Sequence, residues 1–294
     1  MTQSDWLADQ FEQHRPHLRA VGYRMLGSLT EADDAVQDAW LRVSRAGADD
    51  VDNMRGWLTT ILARICLNML RSRSARREGS IEDRLPDPIV SRDGALQPEE
   101  EALLADSVGL ALLVVLDTLS PAERLAFVLH DVFDLPFDEI APVVDRTPEA
   151  ARQLASRARR RVKGAPEPDS DLRRQRTVVD AFFRAARAGD FEALMQVLDP
   201  DVVLRADFGA GGRSQPRVVR GADAVMQQAR IGAGLLGSQL HPALVNGAAG
   251  VVVTVNGRPF AVMGFIIRGG RIVEIDTIAD PERVSRVAAG LLIR

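Results

Sequence analysis

The chain has 294 residues, 46% of them apolar, a net charge of −4 and a single cysteine, Cys66. At about 100–200 residues per domain this leaves room for two or three cores, and one cysteine excludes an internal disulfide. No apolar run approaches the ~20 residues of a membrane helix and the start lacks a basic-then-apolar leader, so a cytoplasmic protein with no membrane contact is expected.

From Trp6 to Arg77 the pattern is helical. Ala32, Ala35, Val36, Ala39, Trp40 and Val43 follow the i, i+3, i+4, i+7 spacing of one buried helix face. Thr30 reads as its N-cap, with Asp33 in the capping-box position. After a polar loop, Ala46 to Asn53, a second apolar stripe runs through Met54, Trp57, Leu58, Ile61, Leu62, Ile65 and Met69. Residues 79–97 carry Pro86, Pro88, two glycines and many charges, a linker signature. Helices resume at about Pro98. Ser120-Pro121-Ala122-Glu123 is a capping box with proline at the first helical position. A short helix near Phe137 to Val144, a turn at Asp145-Arg146 and a helix opened by Thr147-Pro148 and running to about Lys163 make a helix-turn-helix pattern.

Residues 165–172 form a second linker. Beyond it, helices over about Leu172–Ala188 and Phe191–Leu198 precede strands at Val251–Val255, Phe260–Arg268 and Arg271–Ile278. Gly269-Gly270 supplies a hairpin turn, and Asp280-Pro281 opens a last helix. The expected fold is multi-domain: two all-α domains, residues 1–78 and 98–164, followed by an α+β domain over 173–294.

Charge is distributed unevenly. Arg55–Arg77 holds six arginines and no acid, Arg152–Lys163 holds six basic residues and no acid, and Glu31–Asp38 holds four acids and no base. Local basic segments in an acidic chain suit nucleic-acid contact without tight free binding, because global charge governs non-specific attraction. On the last helix of the helix-turn-helix, Arg152, Gln153, Ser156 and Arg157 share one face, while Ala151, Leu154, Ala158 and Val162 turn inward. Arg and Gln there can read base edges; Arg159, Arg160, Arg161 and Lys163 would reach phosphates. Arg64, Asn68 and Arg71, at i, i+4 and i+7, make a second basic face opposite the apolar stripe, on which Trp57 is expected as a core residue. Glu31, Asp33, Asp34 and Asp38 would repel DNA, so their face suits a basic protein partner; a solvated helix carries the same residues. His14, His17, His130, His241 and Cys66 lack metal-ligand spacing, so no metal and no cofactor is expected.

At this point the residues become specific. Thr30 to Val43 (TEADDAVQDAWLRV) resembles the core-polymerase-binding helix of region 2 in the sigma-70 family, and Arg55 to Asn68 (RGWLTTILARICLN) resembles the promoter-melting and −10 recognition helix of the extracytoplasmic-function group. Leu119 to Arg124, Leu135 to Ala141 and Ser156 to Arg159 resemble region 4, the −35 reader. The resemblance implies an alternative sigma factor, not an enzyme, that binds core RNA polymerase through the β′ clamp helices and the β flap and directs it to promoter DNA. It puts Glu31, Asp33, Asp34, Gln37 and Asp38 on the polymerase and the Arg45–Asn53 loop on a flipped −10 base. Asn53, Arg64, Asn68 and Arg71 fall on the −10 element, and Arg152, Gln153, Ser156, Arg157, Arg159 and Arg160 on the −35 element. Two departures stand out. Pro142 lies inside the first helix of the helix-turn-helix and should shorten or kink it, and Asp145 stands where the family often has Gly, a place where Asp tolerates the left-handed conformation.

The last 120 or so residues, from about Arg173, are similar to the SnoaL-like, NTF2-like cone. In sigma factors that carry it, this extension implies a built-in regulator with room for a small-molecule ligand in its pocket. Leu85, Pro86, Asp87 and Pro88 resemble the interdomain motif of that group, with Arg84 where an aromatic is expected. The loop Asp207 to Arg213, including Gly211, Gly212 and Arg213, and the segment Asp280-Pro281-Glu282-Arg283-Val284 resemble its contact elements. These imply an intramolecular contact of the C-terminal domain with the linker and sigma domains. Relatives of the cone include isomerases with an Asp base and a Tyr donor. Here only Asp207 and His241 are candidates and the one tyrosine, Tyr23, lies in the other half, so no catalytic residue is assigned. The competing function is a one-component helix-turn-helix regulator with a ligand-sensing C-terminal domain. It has no use for the acidic helix.

Overall fold

The computed structural model describes residues 3–46, 48, 51–77, 84–92, 110–163, 169–209, 217–234 and 237–292. These form two compact units. One holds residues up to 77 and most of 110–163; the other holds 84–92 and 169–292.

In the first unit, α1 (Gln3–Leu26), α2 (Leu29–Ala46) and α3 (Met54–Arg77) pack on one another. Their core is built from Phe11, Leu18 and Met25 on α1, the Ala32/Ala35/Val36/Ala39/Val43 stripe on α2, and Leu58, Leu62 and Ile65 on α3. Trp40 closes it against Phe11, ring centroids 5.1 Å apart. Burial pushes the Cys66 thiol up to about 12, so it stays protonated and serves as packing. The cap of α2 is Ser28 rather than Thr30: the Ser28 hydroxyl accepts from Glu31 N (3.4 Å), and Thr30 lies inside the helix.

The second half of this unit is α4 (Leu110–Asp117), α5 (Pro121–Phe127), a π-helical turn (Val128–Val132), α6 (Phe137–Val144) and α7 (Pro148–Val162). The Ser120–Glu123 capping box forms in both directions and Thr147 caps α7. Pro142 leaves α6 only eight residues long, and Asp145 ends it in the left-handed region at φ 56°. Both departures from the family pattern are therefore absorbed locally.

The second unit is a seven-stranded sheet in the order β1-β4-β5-β6-β7-β2-β3. Its strands are β1 (Val90–Ser91), β2 (Leu198–Asp207), β3 (Arg217–Arg220), β4 (Ser238–Val245), β5 (Ala248–Val255), β6 (Arg258–Arg268) and β7 (Arg271–Ile278). Among the described residues, β2 and β7 pair in parallel and the other neighbouring strands antiparallel. The helices α8 (Leu172–Ala188), α9 (Phe191–Val197) and α10 (Ala222–Ala233) complete the cone, with α11 (Pro281–Leu292) at the end. Val179, Phe182, Leu194, Val225 and Met226 from the helices meet Leu204, Val251, Phe265 and Ile275 from the sheet in one core. Alternation at period two sends Val252, Val262 and Ile278 to the other face, where α11 packs on β6 and β1. The fold class is thus the expected one: two helical regions followed by an α+β cone. The segment read as linker contributes a strand of its own, which its proline content concealed.

Candidate nucleic-acid interface and regulatory clasp

On α2, the five expected partner-binding residues do not behave alike. Glu31 is paired with Arg73, and Asp33 with Arg19 at 2.6 Å, both within the helical unit. Asp34, Gln37 and Asp38 are exposed, and the same i, i+3, i+4, i+7 line continues to Leu41, which is 43% exposed. Two acids, an amide and an apolar end-piece therefore form the free surface. Leu41 was legible in the sequence as an apolar residue on a polar face.

On α3, Arg64, Asn68 and Arg71 are exposed on one side, as expected. Trp57 and Ile61 are only half-buried and lie on that side, not within the core. The cause is the width of the buried arc. Besides Leu58, Leu62 and Ile65, the small residues Gly56, Thr59 and Ala63 are buried, because α3 packs against α5 and α6 as well as α1 and α2. At Gly56 a Cβ would come within 3.1 Å of the Glu139 carboxylate on α6. Hydrophobicity weighting misses such a small-residue stripe, so the expected apolar centre was rotated toward Trp57. Asn53 caps α3, its side-chain Oδ1 accepting from Gly56 N at 3.0 Å. Of the loop before it, residues 47, 49 and 50 lie outside the described residues.

The junction of α1, α3 and the π-helical turn holds a neutral histidine. His17 Nε2–H donates to Thr59 Oγ1 (3.0 Å), whose own hydroxyl donates to Arg55 O (2.7 Å), and Arg55 donates to His17 Nδ1 (3.2 Å). Burial, then the Arg55, His14 and Arg24 charges, pull His17 down to about 4. Phe133 meets the His17 ring edge-on at 5.2 Å and carries the Arg24 guanidinium at 5.1 Å.

On α7, Arg152, Gln153, Ser156, Arg157 and Arg160 are exposed, and Ala151, Ala155 and Ala158 face inward. Arg152 stacks over the Phe137 ring at 5.2 Å. Arg159 is half-buried and held by Asp131 at 2.5 Å, so it is less available than its neighbours; Arg161 is tied to Glu123 at 3.3 Å. Burial works to raise the Glu123 carboxyl, but the Ser120 hydroxyl and N–H, with Arg161 and Arg157, hold it below the usual carboxylate range.

In the second unit a clasp forms around residues 84–92. Each residue from Leu85 to Ser91 is buried. Val90 and Ser91 pair with Val245 and Leu244 on the edge of β4, and Asn246, at φ 50°, serves both polar groups of Ile89. Its side-chain oxygen accepts from Ile89 N (3.0 Å) and its N–H donates to Ile89 O (2.8 Å). At the other end Arg283, 1% exposed, donates to Asp87 (2.6 Å), Asp207 (2.5 Å) and the Leu85 carbonyl (2.6 Å). Asp207 also accepts from Leu85 N (3.0 Å) and Gly209 N (2.9 Å). The expected contacts Leu85, Asp87 and Asp207 thus meet on one guanidinium, which the motif contains but which sequence alone did not single out. Asp280 plays another part, capping α11, and Pro281 is the first helical residue. Gly209 is required here, since at φ 73° any Cβ would overlap the Asp280 carboxylate. Gly211, Gly212 and Arg213 lie outside the described residues. Asp207 is an ion-pair partner of Arg283, and His241 is hydrogen-bonded to Thr254 (3.0 Å). Among the described residues no group of His, Cys, Asp or Glu is arranged to hold a metal, and no helix is long and apolar enough to cross a membrane.

A helix-turn-helix with an exposed basic face, joined in one unit to a helix carrying an acidic stripe, is the kind of architecture that DNA-binding proteins of transcription use. Known proteins place it further. The family descriptions "Sigma-70 region 2" and "Sigma-70, region 4" match residues 10–76 and 109–162. The chain is 37% identical to the ECF RNA polymerase sigma factor SigJ of Mycobacterium tuberculosis, over 93% of this chain and 92% of that one. It is 35% identical to the probable ECF RNA polymerase sigma factor SigI of the same species, over 99% of both. The crystal structure of M. tuberculosis SigJ superposes with a TM-score of 0.74 at 35% identity, covering 94% of this chain and 97% of that one. The chain belongs to the extracytoplasmic-function sigma factors of the sigma-70 family: it is an alternative sigma factor, with an α+β domain at its C-terminus.

Proposed function

We propose that this cytoplasmic sigma factor seats the Asp34/Gln37/Asp38/Leu41 line on the β′ clamp helices of core RNA polymerase. The 110–163 half meets the β flap and turns Arg152, Gln153, Ser156 and Arg157 to the −35 element. The −10 element lies on α3 and the loop before it, with Arg64, Asn68 and Arg71 on its phosphates and Asn53 at the loop end. The half exposure of Trp57 on the same side of α3 as these residues favours a further part for it, as an apolar plate against an unstacked base. Arg159 adds charge near the DNA while bound to Asp131.

The C-terminal domain sets activity in cis. The observation that carries this is the Arg283 clasp: a peptide lying in sequence between the two DNA-reading regions is buried as part of the C-terminal unit. A domain that holds that peptide controls how much chain is free to span the two promoter elements. Run-off transcription with purified core polymerase tests it, comparing the full chain with one ending before Pro281 and with Arg283→Met. Both changes should alter promoter-directed transcript at equal protein level; unchanged transcript in both refutes cis control. For the −35 face, Arg152→Ala should weaken use of the cognate element by ~1–3 kcal/mol. Equal loss on a scrambled −35 sequence would reassign Arg152 to the phosphates.

A further inference from the structure

A cleft of about 470 Å³ runs along the flank of α8, between that helix and strands β4 and β5. Its floor is apolar: Phe183, Leu240, Pro242 and Val251. Its rim carries Arg184, Arg187 and Asp180. No residue of α10 lines it; its floor backs onto the core, in which Val251 is buried and against which Phe183 and Leu240 pack, and it opens at the flank of α8 beside the strand β4. Phe183 stands at the boundary, touching Phe182 and Phe265 edge-to-face at 5.2 and 5.8 Å, which fixes the floor.

The three charged rim residues differ from Arg176, which lies earlier on the same helix. Arg176 is spent on the sheet, donating to Gly250 O (2.7 Å) and Ala243 O (2.8 Å). Arg184 and Arg187 form no hydrogen bond or ion pair among the described residues, and neither does Asp180, although it stands at i−4 from Arg184 where a helix pair could close. Two guanidinia at i and i+3 present their donors side by side above an apolar floor, and guanidinium forks match a carboxylate. With Asp180 the rim sums to a single positive charge, which balances one negative charge and disfavours two.

We propose that this cleft binds an amphiphilic monocarboxylate, its chain or ring body on Phe183, Leu240, Pro242 and Val251 and its carboxylate between Arg184 and Arg187. At about 30 Å³ per water-sized group, a volume of about 470 Å³ has room for a medium-chain fatty acid. The site gives the C-terminal domain a ligand that its position in the family does not specify, and it stands or falls without reference to polymerase.

The test uses the full chain alone, with decanoate, decanol and decyltrimethylammonium as probes in isothermal titration calorimetry. Decanoate should bind with one site per chain, about tenfold tighter than decanol, as two exposed charge contacts allow, and the cation should not bind. Arg184→Gln with Arg187→Gln should bring decanoate down to the decanol affinity without changing decanol, and Asp180→Asn should tighten decanoate. All three side chains are exposed, so these variants leave packing untouched; circular dichroism checks it. Equal affinity for decanoate and decanol, decanoate binding unaffected by the double Gln variant, or no saturable binding of decanoate overturns the proposal.

Discussion

Replacing Arg283 by Met removes the charge that holds Asp87, Asp207 and the Leu85 carbonyl while keeping most of the side-chain volume. The clasp places one guanidinium against two carboxylates, all three groups at most 3% exposed. Without the cation two buried carboxylates face each other and a buried carbonyl loses its donor. Breaking a buried pair in this way costs about 3–5 kcal/mol. The three tryptophans, Trp6, Trp40 and Trp57, all lie in the helical unit, so their fluorescence would not see the loss. Amide hydrogen exchange at Leu85, Ile89 and Val90 would: at about 1.4 kcal/mol per decade, opening should accelerate by roughly two to three and a half decades. A double-mutant cycle gives the sharper number. Asp87→Asn should be costly in the wild-type background and less costly beside Arg283→Met, because the guanidinium that the carboxylate faces is then already gone. Exchange faster by less than fivefold in Arg283→Met, or strictly additive effects in the cycle, would refute the ion-pair account.

Acid should loosen the helical unit through His17. Its folded value near 4 lies below the ordinary 6.5, so the unfolded chain binds the proton more readily and stability present above pH 6.5 is lost as pH falls toward 4. Between pH 7 and 5 the loss should be about 1–2 kcal/mol after allowance for its partial exposure. Tryptophan fluorescence during urea unfolding should register it, and His17→Gln should flatten the profile; an unchanged slope would refute it. Asp276 has the opposite sign. Burial lifts it to about 6, against the Arg205 charge and with help from Glu274, so the folded unit gains stability as pH falls from 6 to about 4. Asp276→Asn should remove that gain, about 1 kcal/mol between pH 7 and 5, seen as hydrogen exchange in β7 at those two values; identical pH dependence in the variant would refute it. On α2, Asp34→Arg and Leu41→Glu should each weaken capture of core polymerase about tenfold, the first more at low salt than at high. Asp33→Asn, already paired with Arg19, should do less; a stronger effect from Asp33 would mean the exposed line is not the contact.

Much of this molecule was readable from residue order. The caps at Ser120 and Thr147, the αL turn at Asp145, the Gly269-Gly270 hairpin and the faces of α2 and α7 follow from local rules, because each needs only neighbours within a turn or a pleat. Where the reading missed, distant parts of the chain were responsible. Trp57 left the core because α3 is packed on by four other helices, and three of its contact positions are small residues that carry no hydrophobic signal. Glu31, Asp33 and Arg159 kept their places on their faces but acquired partners 42, 14 and 28 residues away.

Periodicity, capping and charge patterning set the helices, the strands and which surfaces are acidic or basic, since those properties reside in short stretches of chain. What only tertiary structure decided is which of those charges remain free, and that a proline-rich connector becomes a strand clamped by a residue almost two hundred positions away. Burying Arg283 is tolerable only with two carboxylates and a carbonyl around it, and which groups those are depends on how the folded unit brings Asp207 at the end of β2, the 85–87 peptide and α11 together.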